Sequence, residues 1–144
     1  MRYQREGDLY IIRFEDGDVF PDQLLSFLEA QSIRGGSLTG LGAFSRSVIA
    51  FFDTAAREYQ DIELDEQLEV LALVGNVAVY EDAPLVHAHV MLGRRDGTAL
   101  GGHLRRATVR PTLEVFLHVI RGPLRRAVDR VYGLPALDLG NEHT

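Results

Sequence analysis

Residues 85–104 read LVHAHVMLGRRDGTALGGHL, and this stretch sets the architecture of the chain. Its two apolar runs, 85–92 and 99–104, are rich in valine, leucine and alanine. Such runs, bounded by turn residues, are typical of β-strands. Between them lies the dipeptide Asp96-Gly97, which is a strong turn signal. We therefore predict a β-hairpin.

The length of the hairpin loop determines on which face of the sheet His103 lies. A two-residue loop of Asp96-Gly97 pairs residue 95 with 98 and puts His103 on the opposite face from His89. A three-residue loop that also includes Arg95 pairs residue 94 with 98, and therefore His89 with His103. Glycine in third place suits this longer loop, because its last residue takes a left-handed conformation. We predict the longer loop.

Three histidines lie together in that register. His87 and His89 are one pleat apart on one strand, so both point to the same face, and His103 joins them from the next strand. Three imidazoles can bind one ion at about 2.0–2.1 Å each and leave a fourth position for water or a small-molecule ligand. Ordinary surface or hydrogen-bonded histidines are the alternative. The shared register, with Gly101-Gly102 leaving room beside His103, favours a divalent-metal site, and imidazole suits zinc.

Two more side chains are candidates for the same site. Glu114 lies in an apolar strand and is either a buried, paired carboxylate or a hydrogen-bond partner for a ligating histidine. His118 shares a strand face with Glu114, and we interpret it as an edge or interface histidine. His143 lies in a polar tail and receives no role. A cluster of five arginines near the hairpin could bind an anion, but a solvated strand end is the preferred interpretation: Arg94, Arg95, Arg105, Arg106 and Arg110.

The remaining segments predict a single α+β domain over residues 1–144 with a largely antiparallel sheet. Helical spacing of apolar residues predicts one long helix over Val19–Gln31, with Asp18 as its cap. A short helix is predicted from Pro123 to about Tyr132. The acidic segment Glu58–Glu66 is predicted to be a polar connection. Further strands are predicted at Leu9–Glu15, Ser47–Asp53, Leu68–Tyr80 and Leu113–Ile120.

Composition excludes several classes of protein. The chain has no cysteine, which excludes disulfide scaffolds and thiolate metal sites. The formal net charge is −6, and residues 1–82 hold 16 acidic side chains against 6 arginines. A chain with a net negative charge is not expected to bind nucleic acid strongly and without specificity, because such binding depends on neutralising phosphates. With no signal-peptide core and no apolar run of membrane-spanning length, we expect a cytoplasmic protein without membrane contact.

Five motifs follow one another along the chain: Gly36-Ser37-Leu38-Thr39-Gly40-Leu41-Gly42-Ala43, Leu68-Glu69-Val70-Leu71-Ala72-Leu73-Val74-Gly75-Asn76, His87-Ala88-His89-Val90, Gly101-Gly102-His103-Leu104 and Thr112-Leu113-Glu114-Val115. Together these motifs resemble the plant and prokaryote conserved (PPC) domain family. The resemblance covers about residues 8–139 and implies a compact α+β fold, a strongly bent antiparallel sheet and a homotrimer. In plants the domain accompanies AT-hooks, and stand-alone bacterial members are often labelled DNA-binding proteins.

The sequence departs from the plant form in two ways that bear on function. It lacks the Arg-Gly-Arg-Pro core of an AT-hook, the part that reads the minor groove of DNA. It also carries the three histidines, and histidine-bearing prokaryotic members look like metal binders. The family fold is similar to that of acetolactate decarboxylase, in which three histidines on neighbouring strands hold zinc.

Two functions are therefore open. The first is a stand-alone PPC protein that acts as a DNA-binding or regulatory module, with a metal site formed by His87, His89 and His103 and no assigned reaction. In that case the missing AT-hook predicts weak binding to DNA. The alternative is a zinc-dependent lyase or hydrolase acting on a small carbonyl-containing substrate. An open metal position in a pocket beside Glu114 or an arginine would favour the enzyme.

Overall fold

The computed structural model describes residues 1–140, which form ten β-strands and one helix. The elements in chain order are β1 (Arg2–Glu6), β2 (Leu9–Phe14), β3 (Val19–Phe20), α1 (Asp22–Ala30), β4 (Gly36–Asp53), β5 (Glu58–Leu64), β6 (Leu68–Tyr80), β7 (Ala83–Gly93), β8 (Ala99–Val119), β9 (Arg125–Val128) and β10 (Pro135–Asp138).

All ten strands belong to one sheet, and its centre is a closed circuit of four strands. β4 pairs with β8 and β6, β7 pairs with both β6 and β8, and every pairing in this circuit is antiparallel. The other strands extend the sheet: β2 and β3 pair with β8, β5 with β4, and β1 with β2. Because β7 and β8 close the circuit, residues facing one another across them are held in a fixed register.

The hydrophobic core lies inside this curved sheet and is covered by the helix. α1 contributes Leu24, Phe27 and Leu28, which are buried. Phe14 and Phe44, from β2 and β4, are fully buried in the same cluster. The helix is too short to be stable alone, so these buried side chains hold it in place.

The predicted long N-terminal helix is wrong, and with it the α+β fold class. The helix spans only Asp22–Ala30, and Val19–Phe20 forms a short strand instead. Those two residues pair with Thr108 and Ala107 of β8, so their backbone belongs to the sheet. The described chain is a mostly β fold with one nine-residue helix.

The predicted C-terminal helix is also wrong. Residues 125–138 form a hairpin in which β9 pairs with β10. The hairpin joins β6 at one point, where the Val79 N–H donates to the Leu124 carbonyl oxygen at 2.8 Å. Most of the hairpin's apolar side chains, such as Val128 and Val131, are exposed, so no buried face supports a helix here.

The acidic segment predicted to be a connection is likewise a strand. β5 pairs with the end of β4 along seven residue pairs, from Ser47 with Leu64 to Asp53 with Glu58. Charged side chains can lie on such a strand because most of β5 is exposed. None of the described helices is long and apolar enough to span a bilayer.

Glycines allow the two longest strands to pass close to each other. A Cβ at Gly42 would clash with the Thr112 carbonyl oxygen, and one at Gly40 would lie 2.9 Å from the carbonyl oxygen of Glu114. Only a residue without Cβ fits at these points of β4. The alternating glycines of β4 are therefore explained by the close approach of the β8 backbone.

Candidate metal centre

The register of the β7–β8 hairpin is the one predicted. His89 pairs with His103, and the Arg94 N–H donates to the Thr98 carbonyl oxygen at 2.8 Å. Gly97 ends the three-residue loop with φ of +83°, the left-handed conformation that glycine adopts without strain. The turn sequence thus places His89 and His103 on the same face, as its chemistry indicated.

The three imidazoles converge. Ligand nitrogens of His87, His89 and His103 all lie within 4.8 Å of one another, and no other histidine or acidic group of residues 1–140 belongs to this cluster. The Nε2 atoms of His87 and His89 are 3.2 Å apart. Two nitrogens bound tetrahedrally to one zinc ion lie about 3.4 Å apart. The spacing of the free side chains therefore already suits a shared ion.

Burial keeps two of the rings neutral. Desolvation, followed by the charges of the two neighbouring histidines, lowers the pKa of His103 to about 4. Burial also lowers the pKa of His87, assisted by the nearby Arg126 guanidinium and by His89. The Tyr59 ring packs on His103 with centroids 4.9 Å apart and helps to cover it. Neutral imidazole is the form that binds metal.

One buried polar atom at the cluster has no partner. His103 Nδ1 is buried and makes no hydrogen bond to any described residue. Such an atom costs roughly 1–3 kcal/mol when it is left unsatisfied. A ring in this position, beside two other imidazoles, matches the donor set of a three-histidine zinc site. The residues present therefore fit the metal that the sequence predicted.

Arg126 is the neighbour of the cluster that sequence reasoning missed. Its Nη2 donates to Asn76 Oδ1 at 2.7 Å and lies 3.3 Å from His87 Nδ1, while its Nη1 donates to the Pro135 carbonyl oxygen at 2.6 Å. Arg126 lies on β9, within the segment predicted to be helical. The neighbouring sequence therefore did not indicate that its side chain points towards the histidines. Asn76 was part of a family motif but carried no assigned role.

A pocket of about 340 Å³ opens beside the histidines. His87, His103 and Arg126 form its polar side, and most of its other walls are apolar or aromatic. The remaining lining residues are Pro21, Tyr59, Leu85, Val86, Leu104, Arg105, Leu134 and Pro135.

The other candidate residues lie elsewhere. Glu114 is exposed on β8, where it pairs with Leu41 and Arg13, and it does not belong to the histidine cluster. His118 is exposed and pairs with Ser37, so it does not join the cluster either. His143 lies outside the described residues.

Ion pairs neutralise most of the arginine cluster. Four of its five members pair with a carboxylate on the protein surface, and Arg95 is exposed. The pairs are Arg94 with Glu66 at 3.0 Å, Arg105 with Asp61 at 3.1 Å, Arg106 with Asp22 at 3.1 Å and Arg110 with Asp16 at 2.9 Å.

Residues 1–121 match the family model of the Plants and Prokaryotes Conserved (PCC) domain. The chain belongs to this family. The match confirms the resemblance of the motifs, since PPC and PCC abbreviate the same name. It ends before the β9–β10 hairpin, so Arg126 lies outside the part that the family model matches.

Two solved structures share nearly the whole fold. A proposed DNA-binding protein from Bacteroides thetaiotaomicron is 28% identical, with a TM-score of 0.92 over 95% of this chain and 96% of that one. A metal-containing protein from Archaeoglobus fulgidus is 35% identical, with a TM-score of 0.86 over 95% of this chain and 98% of that one.

Two weaker similarities have a narrower meaning. A Staphylococcus aureus protein similar to alpha-acetolactate decarboxylase is 14% identical, with a TM-score of 0.56 over 77% of this chain and 52% of that one, which shows a shared fold alone. The bifunctional protein GlmU of a Synechococcus strain is 31% identical over 98 residues, or 67% of this chain. The chain spans only 14% of the length of GlmU.

The lowered pKa of His103 predicts how the metal-free protein responds to acid. The pKa is about 4 in the folded chain and about 6.5 in the unfolded one, so the unfolded state binds more protons between these values. Stability should therefore fall as pH drops from about 6.5 towards 4. Thermal unfolding of chelator-treated protein across this range should show a steeper loss for wild type than for His103→Gln. Equal slopes would contradict the prediction.

Proposed function

We propose that this PCC-domain protein binds one divalent metal ion, Zn²⁺, through His87, His89 and His103. The observation that carries the proposal is the 3.2 Å separation of two Nε2 atoms in a cluster that a fixed hairpin register brings together. The metal-containing relative from Archaeoglobus fulgidus supports it. Three protein ligands leave a position open, which favours a site that takes an exogenous ligand over a purely structural one.

A zinc-dependent lyase or hydrolase acting on a small carbonyl-containing substrate is the second candidate. The pocket beside His87 and His103 favours it, because a ligand could reach the open position from there. A bound zinc ion supplies a Lewis acid and lowers the pKa of water. The chain's own contribution is to hold His89 and His103 in register across the hairpin and to line the pocket with apolar walls.

The metal proposal is tested by replacing one ligand. His89→Ala should abolish stoichiometric zinc binding, because two imidazoles hold the ion far more weakly than three. The fold should survive, since the His89 side chain is exposed and does not belong to the hydrophobic core. Elemental analysis after gel filtration gives the zinc content, and circular dichroism checks the fold.

His118→Ala is the matched control for this experiment. It removes another exposed histidine from the same sheet and should keep full zinc content. Full zinc content in His89→Ala would show that the three histidines do not form the site. Loss of zinc only in the ligand variant justifies screening small carbonyl compounds for turnover, which separates the binding module from the enzyme.

An exposed apolar groove supports the proposed homotrimer. Val74 and Phe116 flank Thr39 in register on one face of the sheet, and they are 54% and 43% exposed. Leu41, 60% exposed, and Leu71 line the same groove of about 320 Å³. Contiguous apolar surface of this kind marks an interface. Copies of this chain arranged about a threefold axis are the occupant we propose.

The assembly is measured by light scattering at micromolar concentration. Wild type should give three times the 16.1 kDa mass of the chain. Phe116→Asp should shift the mass towards the monomer, because it buries a charge in the interface. Phe51→Asp is the matched control, since Phe51 is 64% exposed and does not line the groove. A monomeric wild type would exclude the trimer.

DNA binding is considered for this chain because its relative from Bacteroides thetaiotaomicron is described as a proposed DNA-binding protein. The charges on the surface make such binding weak. The net charge is −6, and Arg94, Arg105 and Arg106 are already paired with carboxylates. In the described part of the chain, seven of the fifteen arginines are paired with carboxylates, and the acidic excess of the chain repels phosphates. We propose that any contact with DNA is of low affinity and without sequence preference.

Salt-titrated fluorescence anisotropy on duplex DNA measures this. Wild type should bind weakly at physiological salt, with equal affinity for unrelated duplexes. The double variant Asp22→Asn, Glu66→Gln releases Arg106 and Arg94, so it should bind more tightly and show a steeper salt dependence. Submicromolar, sequence-selective binding by wild type would overturn the proposal.

A further inference from the structure

Arg126 carries a positive charge that no acidic side chain balances. It is absent from all eight ion pairs found among residues 1–140. Its Nε is buried and has no hydrogen-bond partner. The guanidinium cannot lose its proton in a protein, so both the charge and the Nε–H need an acceptor that the described chain does not provide.

The contact between Arg126 and His87 cannot persist when His87 binds metal. Arginine only donates, so the 3.3 Å contact requires a lone pair on His87 Nδ1. When a neutral imidazole binds an ion through Nε2, its proton sits on Nδ1, which can then only donate. Metal binding through His87 Nε2 therefore leaves one Nη2–H of Arg126 without an acceptor.

The unpartnered Nε and the Nη2 that metal binding frees lie on one edge of the guanidinium. Nε and Nη2 form the edge that pairs with a carboxylate through two parallel hydrogen bonds. Asn76 and Pro135 accept hydrogen bonds from Nη2 and Nη1 and so hold the plane of the group. Arginine held in this way is preorganised to recognise a planar anion.

The pocket beside Arg126 has the charge that an anion requires. Its lining contains Arg126 and Arg105 and no acidic residue. Arg105 is paired with Asp61, so Arg126 supplies the uncompensated charge. Apolar walls such as Leu85, Val86 and Leu134 suit the carbon skeleton of an organic ligand better than an inorganic anion.

We propose that this pocket binds a small organic carboxylate, which Arg126 holds beside the open position of the three-histidine site. The inference rests on the proposed function, because the metal frees the carboxylate-binding edge of Arg126 and adds positive charge. It names the class of ligand that the site accepts. Arg126 acts here as a binding residue, and it is contributed by a hairpin outside the part matched by the family model.

Calorimetric titration of the zinc-loaded protein tests the inference. The probes are pyruvate and malonate, and their neutral counterparts are acetone and malonamide. Wild type should bind at least one carboxylate and neither neutral compound. Arg126→Gln should weaken that binding about tenfold to a hundredfold, the usual effect of losing a charge-assisted hydrogen bond. Arg125→Gln is the matched control, because Arg125 is an exposed neighbour on the same strand that does not line the pocket.

Zinc content, measured on each variant, separates this inference from the proposed function. Unchanged zinc with lost carboxylate binding in Arg126→Gln supports the inference. Equal binding by Arg126→Gln and wild type, or no binding of either carboxylate, overturns it. If wild type takes up no zinc, the proposed function fails. In that case the same titration is repeated on metal-free protein. Carboxylate binding that depends on Arg126 supports the carboxylate pocket, and absence of carboxylate binding overturns the inference as well.

Discussion

Backbone hydrogen bonding along β8 holds this molecule together. The strand pairs with β7 at its beginning, with β4 along most of its length, and with β2 and β3 on its other edge. The circuit of β4, β6, β7 and β8 closes because β8 pairs with both β4 and β7. His103 is the residue of β8 at which both pairings occur, with Ala50 of β4 and with His89 of β7. The candidate metal centre is therefore fixed by the same hydrogen bonds that close the sheet.

Local chemistry was enough to predict some features, and long-range pairing decided the rest. The hairpin register follows from Gly97, whose left-handed conformation depends on only a few neighbouring residues. The start of the helix depends on residues far away in sequence. Val19 and Phe20 have helical spacing, but they pair with β8 and so form a strand instead. Periodicity in one segment carries no information about such a partner.

The same distinction explains the site. The three histidines come from one hairpin, so their meeting could be predicted from spacing. Glu114 follows His103 by eleven residues on one strand, which is about 35 Å along an extended chain, so β8 carries it away from the cluster. Arg126 reaches His87 only because the β9–β10 hairpin joins β6 at Val79, and the helix predicted for that segment gave its side chain no defined direction.

The candidate metal centre and the apolar groove share one face of the sheet. His89 pairs with Val74 across β7 and β6, and both side chains are exposed. Val74 lines the groove together with Phe116. In the proposed trimer, a neighbouring copy that covers Val74 lies next to His89. Arg126 reaches the cluster from the side of His87 instead, through Asn76. Such an assembly would limit access to the proposed open metal position from the His89 side and would leave the Arg126 pocket as the route for a ligand.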